Sequence, residues 1–560
     1  MNKSLWYIGT KNISIINAEN QTKYSKYYLK YHENGKFEND HIFSEFKDCF
    51  IILDGVVFNK KELEKNYSTW IEAIYSLKDE RDFPNMLRGS FSGAIIYNDG
   101  RLQVFTDHCG DKPIFIYNSK DVTVICTELL IYKNLAATGN ILLSAYKPYF
   151  KYMLSFGFMI DNGTCYKEVK RLMPGQIMMF NEKQAVVKFY HKFSNIKTSN
   201  LNDKEAIAEI DRLFRNAIKL EFGKDEEYGY KHIIDISGGL DCRIVNYVAK
   251  DMGYDNILNI TYSQMGSNEF KAALKMARHL DNELIFYPLD NAKFIFDVEK
   301  IIKMNNGLCV YATSTGVSKI LALIDTDLVG IEHGGLLGDI RDGSFPGKTY
   351  YKHRKANVSN GMQFSETFKL TDDIPEISSL YENQEMFDVY TRGMLGGLST
   401  IMIRNYYLEY FAPFMDPDFY DFYLSMPLEQ RVERKIFKKW IKEYYPQAYT
   451  VEDDRTMCRV DASKYARLIA KIKTKVEREM NKFGMKHDLF YKQNSMNPFE
   501  YWYKTKPKIR KFAEDYYEEN KYFLNKDIEL ETICNEIMKK GNLRDITMVL
   551  SILSVLKNYF

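Results

Sequence analysis

The sequence reads as a mixed α/β chain of two unlike parts: a layered, largely antiparallel N-terminal domain, then a doubly wound parallel sheet with a helical C-terminal part. Three observations predict this. Between Trp6 and Val187 the chain is a series of short β-rich runs broken by turn residues. Beyond Asp203, helix-like and strand-like segments alternate, as parallel strands joined by crossover helices require. The stretch from Ile233 to Asn246, IIDISGGLDCRIVN, runs from a β-branched strand through a glycine turn into a helix. With 560 residues, 45% of them hydrophobic, the chain can build more than one sizeable core.

In chain order, the runs DCFIILDGVVFN, GSFSGAIIYNDGRLQVFTDH, KPIFIYNSKDVTVICTE and GQIMMFNEKQAVVKFYH are the expected N-terminal strands, with helices near 61–78 and 144–155. Asn98-Asp99-Gly100 supplies a hairpin turn between two of them. The polar stretch 192–203 is the expected linker, and Asp203 the N-cap of the amphipathic helix KEAIAEIDRLFRNAIKLEF. After the glycine turn come the strand NILNITYS, the helix SNEFKAALKMARHLD and the strands ELIFYPLD and DLVGIEHGG. A ligand is expected at the carboxyl ends of these strands. Residues 461–560 read as a helical extension whose apolar stripe, ITMVLSILSVLKNYF, packs on the domain before it. The expected divisions are therefore 1–191, 192–203, 204–460 and 461–560.

The glycine turn carries the chemistry. Gly238 and Gly239 lack a Cβ, so the backbone can turn tightly and offer N–H groups to an anion at the positive end of the following helix. Asp241 adds a carboxylate, most simply explained by a cation such as Mg²⁺ shared with phosphates. Neither the Walker loop nor the Rossmann G-x-G-x-x-G pattern is present. Ser237-Gly238-Gly239-Leu240-Asp241 instead closely resembles the pyrophosphate loop of the N-type ATP pyrophosphatases, which cleave ATP between the α and β phosphates to adenylate a carboxylate or carbonyl. Cys242 stands where that family usually has serine, and a thiol is the weaker hydrogen-bond donor.

A second resemblance lies upstream. Within Leu87 to Tyr117, the residues Gly89, Phe91, Asp107, Gly110, Lys112 and Pro113 resemble the class II glutamine amidotransferase domain that fronts asparagine synthetases, as does the turn Arg171 to Gly175. That likeness implies an Ntn-like layered fold. Its glutaminase chemistry needs a cysteine as the first residue of the mature chain, and this chain begins Met1-Asn2-Lys3. The family's glutamine-binding Asn-Gly-Glu aligns with Asp54-Gly55-Val56, which replaces a carboxylate by valine. A degenerate domain without glutaminase activity is expected.

The synthetase likeness continues downstream. Val329 to Ser344 resembles the family's second signature, with Gly338-Asp339 matching its Gly/Ser-Asp pair and Asp339 the expected Mg²⁺ ligand; the extra Gly334-Gly335 leaves the register open. Glu332 or His333 falls where the family places a residue that orients or deprotonates the attacking amine. Thr261, at the end of a strand, falls where adenine would rest. Glu409, Pro413, Phe414 and Asp416 match a further segment. Lys435 matches the lysine that stabilises charge on the acyl-adenylate, although Arg434 takes that place if Phe437-Lys438 is read as the family's Leu-Arg pair.

Composition narrows the partners. Lys plus Arg number 77 against 75 Asp plus Glu, so no net field points to nucleic acid or an anionic membrane. No N-terminal apolar region and no run of about 18 apolar residues occurs, so a cytoplasmic protein is expected. The eight cysteines include no C-x-x-C pair, which argues against a disulfide framework or a cysteine metal site. The resemblance implies ATP and Mg²⁺ at Ser237, Gly238, Gly239, Leu240, Asp241, Cys242, Thr261 and Gly338, a small-molecule or peptide carboxylate, and ammonia or an amine as acceptor. It also leaves room for a homodimer. An amide ligase of the asparagine synthetase type is the first reading; an intramolecular amide former akin to β-lactam synthetases and lasso-peptide cyclases, and a non-catalytic nucleotide-binding scaffold, are the alternatives.

Overall fold

The computed structural model describes residues 3–12, 18–80, 82–181, 184–313, 315–339, 354–451 and 496–560, with isolated positions 462, 465, 468, 469 and 472. Two antiparallel six-stranded sheets build the N-terminal part. The first runs, edge to edge, Val169–Arg171, Phe115–Asn118, Thr123–Cys126, Leu5–Gly9, Tyr27–His32, Asn20–Tyr24. The second runs Ala185–Phe189, Gln176–Phe180, Leu102–Thr106, Gly89–Tyr97, Cys49–Val57, Ile42–Phe46.

Strand periodicity explains the layering. Trp6 and Ile8 face the second sheet and share a core with Ile52, Ala94 and Val104. Tyr7, between them, points the other way, into a core that includes Phe150 and Met153 of the helix Lys147–Ser155. On the outer face of the second sheet, Ile51, Phe91 and Ile95 pack on Trp70 and Ile74 of the helix Trp70–Leu77. The Asn98–Gly100 turn joins two strands paired in antiparallel register, as its residues predict.

The five-stranded sheet is parallel throughout, in the order Glu283–Pro288, Ile257–Ser263, Lys231–Asp235, Val329–His333, Tyr410–Phe411. The chain builds outward from the central strand to one edge, then returns to the other side of that strand. The switch point lies between Lys231–Asp235 and Val329–His333, where an open α/β sheet forms its ligand crevice.

The helix Asp203–Tyr228 packs behind this sheet, and its N-cap is Asn202 rather than the expected Asp203: the Asn202 side chain accepts from the Lys204 and Glu205 backbone while Glu205 returns a bond to Asn202 N–H. Asn wins because that reciprocal box satisfies more free N–H groups than Asp203 could one residue later. The stretch 192–203 is not a free tether, since Asn195 is fully buried and accepts from Asn383 at 2.8 Å. The C-terminal helix Leu543–Tyr559 is buried along most of its length. It packs on the helix Val298–Met304 as expected, and also on Lys147–Ser155 of the N-terminal part, with Tyr166 donating to Tyr559 O at 2.5 Å. Among the described residues, no helix is long and apolar enough to cross a membrane.

Candidate functional site

Both predicted signatures sit at the switch point. The central strand ends at Asp235, the loop Ile236–Gly239 follows, and the helix Leu240–Asp251 begins with Gly239 as its N-cap. Gly239 has no side chain with which to cap this helix, so among the described residues its start offers backbone N–H groups at the positive end of the helix. Gly239 N–H donates to Ser237 Oγ at 3.2 Å, and Gly238 N–H to Glu269 Oε1 at 3.2 Å. The loop therefore already holds one anionic oxygen. Arg243 fixes it from below: fully buried, it donates to Gly238 O at 2.8 Å and to the carbonyls of Ala448 and Val451 at 2.8 Å each.

The second signature follows the neighbouring strand Val329–His333 and folds over the first. A Cβ built on Gly335 would meet Cys242 N at 2.8 Å, and one built on Gly338 would meet Asp241 Cγ at 2.4 Å. Gly335, the second of the two glycines that leave the register open in the sequence, and Gly338 are thus what lets one loop lie against the other. Gly338 rests on Asp241, and Asp339 follows it, half-buried, before the chain leaves the described residues at 340, so the end of this signature, 340–344, lies outside them. Cys242 fills the small space between the loops, with Ser237 Oγ 3.5 Å from its sulfur. Burial, then the charge of Asp235, pushes its thiol up to about 12, so it remains protonated and neutral.

Arg434, not Lys435, reaches this junction. Its guanidinium pairs with Asp241, while Lys435 is exposed and its Nζ donates to the Glu429 carbonyl at 3.3 Å. The reason is local: Glu433 and Arg434 both adopt positive φ, 56° and 61°, and this kink swings Arg434 inward just before the helix Lys435–Tyr444 begins.

Glu332 and His333 are adjacent on one strand and therefore face opposite sides of the sheet. Glu332 joins a cluster on the crevice side, where Arg404 pairs with it and also with Asp235 at 2.8 Å and Tyr262 Oη at 3.1 Å. His333 turns away, which removes it from contact with any substrate in the crevice. It stacks on Phe222 at 3.8 Å and lies between Glu221 at 2.5 Å and Asp225 at 2.8 Å, with His232 also 2.9 Å from Asp225. Burial lowers its affinity for a proton, but the two carboxylates more than reverse this and raise it to about 9. The His232, His333 and Asp225 donor atoms lie close enough to hold a metal ion. Their contacts at 2.8 and 2.9 Å are those of a hydrogen-bonded ionic cluster, completed by Ile331 N–H donating to Asp225 Oδ1 at 2.8 Å. Thr261 is buried within its strand, one residue before Tyr262.

In the N-terminal part the stretch around Asp107 to Lys112 and the turn at Arg171 meet. Asp107 accepts from Cys109 N–H at 2.8 Å and Gly110 N–H at 2.7 Å, and Arg171 donates to Gly110 O at 2.7 Å. Lys112 extends from this turn to Glu409 at 2.9 Å, and His41 lies 3.3 Å from Asp54. Burial would raise the Asp54 carboxyl, but Lys112 and His41 hold it below the usual carboxylate range. The space between Asp54, Lys112 and Glu409 is only about 20 Å³, and Val56 is buried in its strand.

Sequence reasoning passed over Arg404, Arg243 and Glu269, and took Gly335 only as a complication of the register. Arg243 had a signal, as a charged residue on an otherwise apolar helix, RIVNYVA. Arg404 had none, because its partners come from three distant strands.

No protein-family model matches the chain, and no curated protein matches it by sequence. Similar solved structures include one described as the allosteric regulatory enzyme of purine biosynthesis, 9% identical with a TM-score of 0.23, covering 51% of this chain and 74% of that one. Another is a glutamine phosphoribosylpyrophosphate amidotransferase from B. subtilis complexed with ADP and GMP, 10% identical with a TM-score of 0.22, covering 47% of this chain and 77% of that one. Likeness at that level carries no argument, and the functional reading rests on the geometry above.

Proposed function

We propose that the protein is an ATP-dependent amide ligase of the asparagine synthetase type, which releases AMP and pyrophosphate. The observation that carries this reading is the junction at the switch point: Gly335 and Gly338 bring the second loop against Asp241, and Arg434 pairs with the same carboxylate. A pyrophosphate group would lie along the Ser237–Gly239 backbone at the start of the helix Leu240–Asp251. The donors beside it are hard carboxylate oxygens, Asp241 and Asp339, which suit Mg²⁺, and the ion would neutralise charge on the phosphates.

In the proposed reaction a substrate carboxylate oxygen attacks the α-phosphorus, and the bond to the bridging oxygen breaks as pyrophosphate leaves. Ammonia or an amine then attacks the acyl carbon and expels AMP. Arg434, a fixed cation at the loop, would stabilise the charge that grows on the phosphate oxygens, the role first expected of Lys435. Arg404 would hold Glu332 and Asp235 in place on the crevice wall. The narrow space around Asp54 and Lys112 favours ammonia or an amine that does not come from glutamine cleaved in this chain.

One observation favours the scaffold alternative: the Glu269 carboxylate already occupies the Gly238 N–H. Carboxylate-dependent exchange of labelled pyrophosphate into ATP separates the two. Exchange in the wild type and its loss in Asp241→Ala supports the ligase. Absence of exchange with every acid, from a folded protein that also fails to bind ATP, rejects it.

A further inference from the structure

We propose that the acid activated by this protein carries a bulky apolar body, and that this body sits in the cavity beside Leu336. The inference rests on the ligase reading and narrows its substrate.

The cavity measures about 370 Å³, within the range of small-molecule sites. Its position ties it to the nucleotide loops. Leu336 is on its wall and lies between Gly335 and Gly338, the two residues that rest on Cys242 and Asp241. A molecule in the cavity is therefore one short turn of chain from the pyrophosphate junction.

The walls select the chemistry. Phe158, Phe364, Phe499 and Met548 line it with Leu336, a surface that favours rings or alkyl chains. Aspartate offers only one methylene to this lining, so it gains little apolar contact there for the cost of moving its charges out of water. Gly157, Gly396 and Gly397 contribute backbone but no side chain, which leaves room in the cavity. Two cations line it, Arg392 and Arg544, and the Arg392 guanidinium stacks over the Phe364 ring at 4.7 Å. A cation held on an aromatic wall suits the carboxylate end of such an acid.

The cavity is also assembled from all three parts of the chain. Phe158 comes from the N-terminal part, Arg392 from the π-helical segment Val389–Gly397, and Met548 from the C-terminal helix. This gives the C-terminal extension a role that its sequence does not disclose: it closes one wall of the acid site.

The test is titration calorimetry of the full chain with octanoate, 3-phenylpropanoate and L-aspartate, and separately with MgATP. The variants are Ala312→Phe and Thr547→Phe, each of which places a ring in the cavity from a different element. At least one apolar acid is expected to bind the wild type about tenfold more tightly than aspartate, and to lose about tenfold in at least one folded variant, with MgATP binding unchanged. Aspartate binding as tightly as the apolar acids, no apolar acid binding the wild type, or undiminished binding in both folded variants would overturn the inference. Failure of MgATP to bind the wild type would strike the ligase reading instead, since the acid titration reads the cavity by itself.

Discussion

Two side chains one residue apart, Arg434 and Lys435, show how the site depends on backbone detail. Arg434→Ala is expected to cut pyrophosphate exchange by about 10²–10³-fold, the loss seen when a fixed charge-stabilising donor is removed, whereas Lys435→Ala should leave the rate nearly unchanged. Parallel exchange assays decide it; equal losses would return the role to Lys435. His333 gives a second prediction at this scale. Its proton affinity rises from 6.5 to about 9 in the folded chain, so its stabilisation is complete below about 6.5 and is lost as pH climbs through 9. The groups facing it are Glu221, Asp225 and, through Asp225, His232. His333→Gln should lower the melting temperature at pH 6.5 and flatten the decline between pH 6.5 and 9. A decline as steep in the variant would contradict the assignment. The strand, glycine turn and helix start around Ser237 to Asp241 were legible in the sequence because their determinants are local. The choice between Arg434 and Lys435 was not, because it turns on two positive-φ residues, Glu433 and Arg434, that no side-chain pattern marks. Strand alternation puts one of Glu332 and His333 on each face, but only tertiary packing shows which face is the crevice.

At the scale of elements, the decisive feature is the close approach of two glycine loops at adjacent strand ends. Gly335→Ala forces a methyl against backbone at Cys242, and Gly338→Ala forces one against the Asp241 carboxylate. Both substitutions should weaken MgATP binding by at least about tenfold while lowering stability modestly, by about 1–3 kcal/mol. Calorimetry alongside thermal melts checks this, and unimpaired binding in either folded variant would separate the second loop from the site. The alternating strands and helices that form the parallel sheet were readable from periodicity, and so was the hairpin at Asn98–Gly100. The cap at Asn202 was missed by one residue because Asn and Asp are nearly equivalent as caps, and the reciprocal bond from Glu205 settles it.

At the scale of the whole molecule, the N-terminal sheets and the parallel sheet are bound by buried charge as well as apolar surface. Lys224 of the helix Asp203–Tyr228 and Asp40 pair at 3.1 Å with both side chains fully buried, Tyr228 donates to Asp40 at 2.8 Å, and Phe58 packs edge-on against Phe411 at 4.7 Å. Lys224→Ala would strand the Asp40 charge and should cost about 3–5 kcal/mol, seen as a lower melting temperature in one cooperative transition. Two separated transitions in the wild type would contradict so tight a coupling. None of these long-range pairs was legible in the sequence, since Lys224 and Asp40 taken alone look like ordinary surface charges, and Phe58 and Phe411 like ordinary core aromatics. A MgATP site at the junction of the two loops is checked by calorimetric titration of MgATP into wild type and Asp241→Ala. Saturable binding is expected in the wild type, and at least about tenfold weaker binding in a variant of unchanged melting temperature; equal affinity in the two, or no binding by the folded wild type, would remove the nucleotide from this junction.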